Sequence, residues 1–322
     1  MSKILKYYFG DKKIVVCYRN SGLGDLLLQA SSGWLYAHKT SRSLMINWTN
    51  SIYLRNKSQN AFLTFFDIPD TILNVKIIKV NRLKMLDRII SIHIWHVLVF
   101  VWYDYIVKKI FGGHENIFYK YKNKLLKDLS NEETLLLEKN TDSSKKVVFL
   151  RSCLFNLSKD VKPFFDALKP NPELSNEIEN FSLKHFANKK VIGIHVRYYD
   201  KALIQSNHTP YWIDTEKGLK IIREKIMFAI EKAVGEDYVI YLTTDSLVPH
   251  EYLTHIFPDI VYYPKRFGQD ISKELHQELP EETANATIIE MFLLAKSDIL
   301  LRFPPNSWFS HYASLYVNTN IS

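Results

Sequence analysis

Cysteine is nearly missing from this chain: Cys17 and Cys153 are the two among 322 residues. One sits in a strand-like segment and the other in a loop, which excludes a disulfide framework and points to a reducing compartment. Two thiols so far apart also offer no zinc-ligand spacing, and no metal is expected. Glycine occurs only ten times. Counted from Gly22, the third glycine of G-x-G-x-x-G falls on Leu27, and the next strand, Ser43 to Trp48, ends without a ribose-binding acid. That excludes the dinucleotide fingerprint and a nicotinamide cofactor. Zinc-finger spacing, an RNP-like aromatic motif and a basic heptad region are all missing, so nucleic acid is not an expected partner. The opening MSKILKYYFGDKK lacks an apolar core and cleavage site of the secretory kind, and a cytoplasmic location is expected.

A long uninterrupted apolar run is missing too. The nearest approach is Arg88 to Phe111, RIISIHIWHVLVFVWYDYIVKKIF, which His93, His96 and Asp104 interrupt. A span needs about 20 largely apolar residues. The segment therefore reads as a buried helix, or as an interfacial helix giving peripheral contact with the inner membrane.

What is present is a globular composition, 47% hydrophobic and 24% charged, in a chain long enough for two domains. The formal charge of +8 favours a polyanionic partner. Strand and helix alternate in both halves. Lys13 to Tyr18 reads as a strand, Leu26 to Lys39 as a helix and Lys146 to Leu150 as a strand. The prolines of KPNPE interrupt the chain between Lys169 and Glu173. The expected division is therefore 1–175 and 176–322. The second half restarts with strand Lys190 to Val196, helix Thr215 to Val234, strand Tyr238 to Thr243, helix Pro249 to Phe257 and strand Asp259 to Tyr263. A helix from about Asn285 to Ala295, strand Asp298 to Phe303 and a helix after Ser307 follow. The pattern implies two parallel sheets facing each other, with ligands at the carboxyl ends of their strands.

That rule selects residues. Gly22 and Gly24 lie at a strand-to-helix corner, where small residues either make a tight turn or let backbone N–H groups approach a phosphate. His195 and Arg197 stand two apart at a strand end and share a face. They suit a diphosphate, each charge-assisted bond to the guanidinium contributing on the order of 1.5–3 kcal/mol. The alternative is an Arg–carboxylate pair between the domains, beside a satisfied core histidine. Ser307 occupies an N-cap position after Pro304-Pro305 and would offer a hydroxyl and free amides to a phosphate. Glu290, in a helix's first turn, either accepts from the N1–H and N2–H₂ donors of guanine or serves the helix dipole. Tyr211 and Trp212 suit either sugar stacking or core packing. Lys265 and Arg266 either add positive potential to the cleft or are solvated.

Six blocks in order, NSGLGDLLLQASSGWLYAHKTSRSLMINW, GIHVRYYDK, TPYWID, YLTTDS, YPKRFGQD with its following LH, and IIEMFLLAKSDILLRFPPNSWFSHYASLYV, resemble the bacterial nodulation fucosyltransferases of the NodZ type. The eukaryotic α1,6-fucosyltransferases share the shorter motifs. The resemblance covers nearly the whole chain. It implies an α/β fold of GT-B type, two Rossmann-like domains across a cleft, the first on the acceptor side and the second binding nucleotide sugar. The implied reaction is inverting, metal-independent transfer of L-fucose from GDP-fucose to an oligosaccharide or lipid-linked glycan, with α1,6-type linkage. By the same resemblance His195 and Glu290 contact the guanine end. Arg197 and Ser307 hold the diphosphate, and Gly22 and Gly24 close over it. Three positions depart from the family pattern: Glu290 stands where an Asp is usual, Tyr198 replaces a second basic residue, and the proposed base has no clear counterpart. Asp200 is the candidate for that base, with His208 behind it. The competing expectations are a transferase of this fold using another nucleotide sugar, and a non-catalytic nucleotide- or glycan-binding module.

Overall fold

The computed structural model describes residues 13–18, 21–49, 51–56, 59–80, 147–150, 159–197, 215–233, 235–265, 267, 281–305, 307–317 and 319–321. Arg88 to Phe111, Asp200, His208, Tyr211, Trp212, Arg266 and Cys153 lie outside these residues.

The first unit is built on β1 (Ile14–Tyr18), β2 (Ser43–Asn47), β4 (Thr71–Ile72), β5 (Val75–Ile78) and β6 (Val147–Leu150), in the spatial order β4-β5-β2-β1-β6. All pairings are parallel except the β4–β5 edge. Helix α1 (Leu23–Lys39) crosses from β1 to β2, with Asp25 in its first turn and His38 and Lys39 in its last, charges that suit the helix dipole. It lies close on the sheet because Gly33 faces Cys17: a Cβ there would sit 2.0 Å from the Cys17 sulfur. Two buried amides brace the strand ends. Gln29 Nε2 donates to the Tyr18 and Leu150 carbonyls at 3.0 and 2.7 Å. Asn60 caps α2 (Ala61–Phe65) and donates to the Ile46 carbonyl at 2.7 Å.

β3 (Phe66–Asp67) pairs antiparallel with β7 (Lys169–Pro170), after α3 (Lys162–Ala167). Asn171 then caps α4 (Pro172–His185), accepting from the Leu174 N–H at 2.9 Å, with Pro172 in the first turn, where no N–H partner is needed. The interrupting prolines thus mark a short strand and a helix start, and position 175 falls inside that helix.

The second unit is a five-stranded parallel sheet, order β10-β9-β8-β11-β12, from β8 (Lys190–Val196), β9 (Tyr238–Thr244), β10 (Val261–Tyr262), β11 (Ile299–Phe303) and β12 (Thr319–Ile321). Among the described residues, the helices between them are α5 (Thr215–Lys232), α6 (Leu247–Ile256), α7 (Glu281–Leu294) and α8 (Trp308–Ser314). The strands alternate strictly. Ile192, Ile194 and Val196 pack with Ile222 and Ile226 of α5 and Leu253 of α6 on one face. Gly193 and His195 look to the other face, where a Cβ on Gly193 would meet Ser297.

A single apolar cluster runs through both units. Phe66 meets Phe292 at 6.4 Å between ring centroids, and Phe165 meets Tyr312 at 5.4 Å. The units are therefore joined by hydrophobic packing, and α1 touches α8 across the join. Among the described residues no helix is long and apolar enough to cross a membrane.

Candidate active site

β8, β9 and β11 end side by side, with His195 opposite Thr243 and Arg302, and Val196 opposite Thr244 and Phe303. The carboxyl ends of these parallel strands carry His195 and Arg197, and Ser307 follows β11.

His195 is only 4% exposed, and its ring lies 5.0 Å from that of Phe309 on α8. Its Nδ1 has no hydrogen-bond partner among the described residues. Burial, together with the nearby cations Arg197, Lys265 and Arg302, holds the imidazole well below its usual range, so the ring is neutral at ordinary pH. This is not the satisfied core histidine of the alternative reading. A buried polar atom without a partner costs about 1–3 kcal/mol, and a ligand atom would relieve it.

Arg197 follows directly. Its N–H donates to the Phe303 carbonyl at 2.7 Å, which fixes the chain, and its half-exposed side chain reaches Asp245 at 3.3 Å, just beyond β9. The pair lies within the second unit and does not bridge the two. The guanidinium is also near enough to the first unit to act on Tyr53. Tyr53 in turn accepts from the Leu23 N–H at 2.6 Å, at the start of α1. Burial pushes its hydroxyl up to about 12, against the opposing effects of that bond and of Arg197.

The two glycines at this corner differ. Gly22 caps α1 with extended backbone, and a Cβ there would meet nothing within 4 Å. At Gly24 a Cβ would lie 2.7 Å from the Phe309 nitrogen and 2.8 Å from the Trp308 carbonyl carbon. Gly24 therefore lets α1 touch the start of α8. Ser307 caps α8 without a side-chain hydrogen bond to the helix. Arg302 secures the turn before it by donating to Ser310 Oγ at 3.3 Å and to the Pro305 carbonyl.

Glu290 falls in the third turn of α7, because that helix begins at Glu281 rather than near Asn285. A first-turn dipole role is therefore not open to it. Its side chain, 4% exposed, accepts from Lys265 at 2.6 Å, and Lys265 is itself 11% exposed. Burial raises the Glu290 carboxyl, Lys265 opposes that rise, and Asp245 adds to it. The hydroxyl of Tyr241 is buried and has no partner among the described residues, its ionisation suppressed by burial and by Glu290. Asp245 stands just past the expected strand Tyr238 to Thr243, where the strand-end rule applies. The pairing of Lys265 with Glu290 and the role of Tyr53 left no signal in the sequence.

Interactions thus run from the α1 corner through Tyr53, Arg197 and Asp245 to Glu290 and Lys265, with His195 and Phe309 beside them. Among the described residues, no three His, Cys, Asp or Glu side chains group as a metal site. One charged edge with unpartnered buried atoms, opposed by a helix start on the facing unit, is an arrangement that can hold a phosphorylated ligand.

The family described as Nodulation protein Z (NodZ) matches residues 11–322. Nodulation protein Z of Bradyrhizobium diazoefficiens is 31% identical over 312 residues, covering 95% of this chain and 80% of the relative. The protein of the same name from Sinorhizobium fredii is 28% identical over 309 residues, covering 95% and 91%. The crystal structure of NodZ α-1,6-fucosyltransferase co-crystallised with GDP superposes with a TM-score of 0.69 at 26% identity, covering 97% of this chain and 94% of that one. POFUT1 in complex with GDP-fucose, at 12% identity and a TM-score of 0.53, covering 96% and 95%, shares the fold alone. The chain belongs to the nodulation protein Z family, and its two facing α/β units form a GT-B fold.

Proposed function

We propose that this protein is a fucosyltransferase that moves L-fucose from GDP-fucose to a glycan acceptor with inversion. The observation that carries the reading is the placement of His195 and Arg197 at the end of β8 near the buried Lys265–Glu290 pair, with Arg197 close enough to act on Tyr53 at the α1 corner of the facing unit. Relatives of the chain are α-1,6-fucosyltransferases solved with GDP and with GDP-fucose. Glu290 accepts from guanine, and His195 offers its unpartnered nitrogen at the same end. Arg197 and Ser307 hold the diphosphate while the α1 start at Gly22 and Gly24 closes on it.

The acceptor oxygen attacks the anomeric carbon from the face opposite GDP. The C–O bond to the phosphate breaks, and negative charge grows on the leaving β-phosphate. Arg197 stabilises that charge electrostatically, so transfer is proposed to need no metal. Asp200 takes the acceptor's proton, a role that contributes roughly 10²–10⁴-fold. The acceptor is an oligosaccharide or lipid-linked glycan, joined through an α1,6-type bond, and the reaction is placed in the cytoplasm at or near the inner membrane.

The test is a product assay with GDP-fucose and a panel of glycan acceptors, followed by linkage analysis. A fucosylated product supports the reading. Tight GDP binding with neither transfer nor hydrolysis would favour a binding module, and a preference for UDP or ADP would remove the guanine assignment of Glu290.

A further inference from the structure

The Lys265–Glu290 pair is buried from both sides and lies 25 residues apart in sequence. Such a pair is expensive to bury, since both ions lose their hydration. It also stands where the nucleotide-sugar reading puts the base. A carboxylate is acceptor-only and matches two donors, as the N1–H and N2–H₂ edge of guanine presents. A protonated carboxyl has one donor and one acceptor, which match adenine's N1 and N6–H₂ instead. The protonation state of Glu290 therefore decides which purine edge fits.

We infer that Lys265 is a positioning residue that sets nucleobase choice, holding the buried Glu290 side chain in its acceptor-only form at a fixed angle. The inference rests on the nucleotide-sugar reading above. The other groups facing Glu290 cannot do this. Asp245 beyond β9 adds negative charge and works against ionisation. Tyr241 on β9 is neutral, and Tyr263 after β10 is neutral and donates to Glu177 of α4. His195 on β8 and His250 on α6 are both held toward the neutral form by burial and by Lys265 itself. Lys265 is thus the cation paired with Glu290 among the described residues. Its ammonium also lies 5.4 Å from the centre of the Phe267 ring, which packs on His250 of α6.

The direction is fixed by the charges. Burial raises the Glu290 carboxyl and Lys265 lowers it, so losing the ammonium removes the lowering effect and the carboxyl protonates at higher pH. An opposite charge at this distance shifts a carboxyl by roughly one to three pH units. The experiment is calorimetric titration of GDP and ADP into wild type, Lys265→Met and Lys265→Arg, between about pH 6 and 8. In Lys265→Met the GDP-over-ADP preference should fall tenfold or more toward the acid end, about the effect of 1.4 kcal/mol, and recover toward the alkaline end. Lys265→Arg should keep the wild-type profile. A Lys265→Met preference as flat with pH as wild type's would overturn the inference while leaving guanine recognition standing. Wild type binding GDP no better than ADP would overturn both. Should Lys265→Met fail to fold, the carbon-13 titration of the Glu290 carboxyl in wild type and Lys265→Gln decides it: a midpoint higher in Lys265→Gln than in wild type supports the inference, and equal midpoints refute it.

Discussion

The contact at Gly24 gives the sharpest test of how the two units meet. A methyl group placed there would sit 2.7 and 2.8 Å from backbone atoms of Phe309 and Trp308, and backbone cannot swing aside as a side-chain tip can. Overpacking of this kind costs about 1–3 kcal/mol. Replacing glycine by alanine in a helix returns up to about 1 kcal/mol. With backbone on both sides of the clash, the upper end applies, for a net penalty of about 2 kcal/mol. The chain can avoid the clash only by parting α1 from α8, and Phe309 on α8 carries the ring that packs on His195. If GDP binding needs the closed contact, the penalty falls on binding, and about 2 kcal/mol corresponds to roughly 30-fold in Kd. Calorimetric titration of wild type and Gly24→Ala with GDP measures the difference. Gly24→Ala binding within about twofold of wild type, well under 1 kcal/mol, would refute the argument.

Arg197→Ala should depress turnover by about 10²-fold or more, the usual loss when a transition-state donor is removed, and weaken GDP binding. Asp200→Asn should lose a comparable factor within the range for a general base while binding GDP as wild type does; steady-state kinetics beside titration separate the two. Stability should fall as pH drops below about 6.5, the unfolded value for histidine. Burial holds His311 down at about 4 in the folded chain, so the unfolded state takes up a proton first and gains on the folded state across that window. The slope from His311 stays under about 1.4 kcal/mol per pH unit, the limit that a single proton sets. Urea unfolding of wild type and His311→Gln at about pH 7 and 5 should show the smaller pH effect in the variant; equal effects would contradict it.

Much of the second unit was legible because its strands are short apolar runs between turn residues. Lys190 to Val196 forms with the expected bounds, and Tyr238 to Thr243 needs one residue more. At the first corner the helical spacing of apolar residues put the start at Leu26, yet α1 begins at Leu23, with Gly24 inside its first turn. What decides there is the packing of α8, a partner nearly three hundred residues away. The polar start of α7 was likewise read short, which gave Glu290 a first-turn role it does not have. β12 and the β3–β7 pair are two or three residues long and carry no period to detect. Residue types and strand ends named His195, Arg197, Ser307 and Glu290. Partners such as Asp245 for Arg197 and Tyr53 for the Leu23 amide come from tertiary packing, which local pattern does not encode.

The most direct measurement is the structure of the protein with GDP bound. The account predicts guanine against Glu290 and His195, with the diphosphate on Arg197 facing the α1 corner. Nucleotide found at any other place on the molecule, with these three side chains untouched, would contradict it.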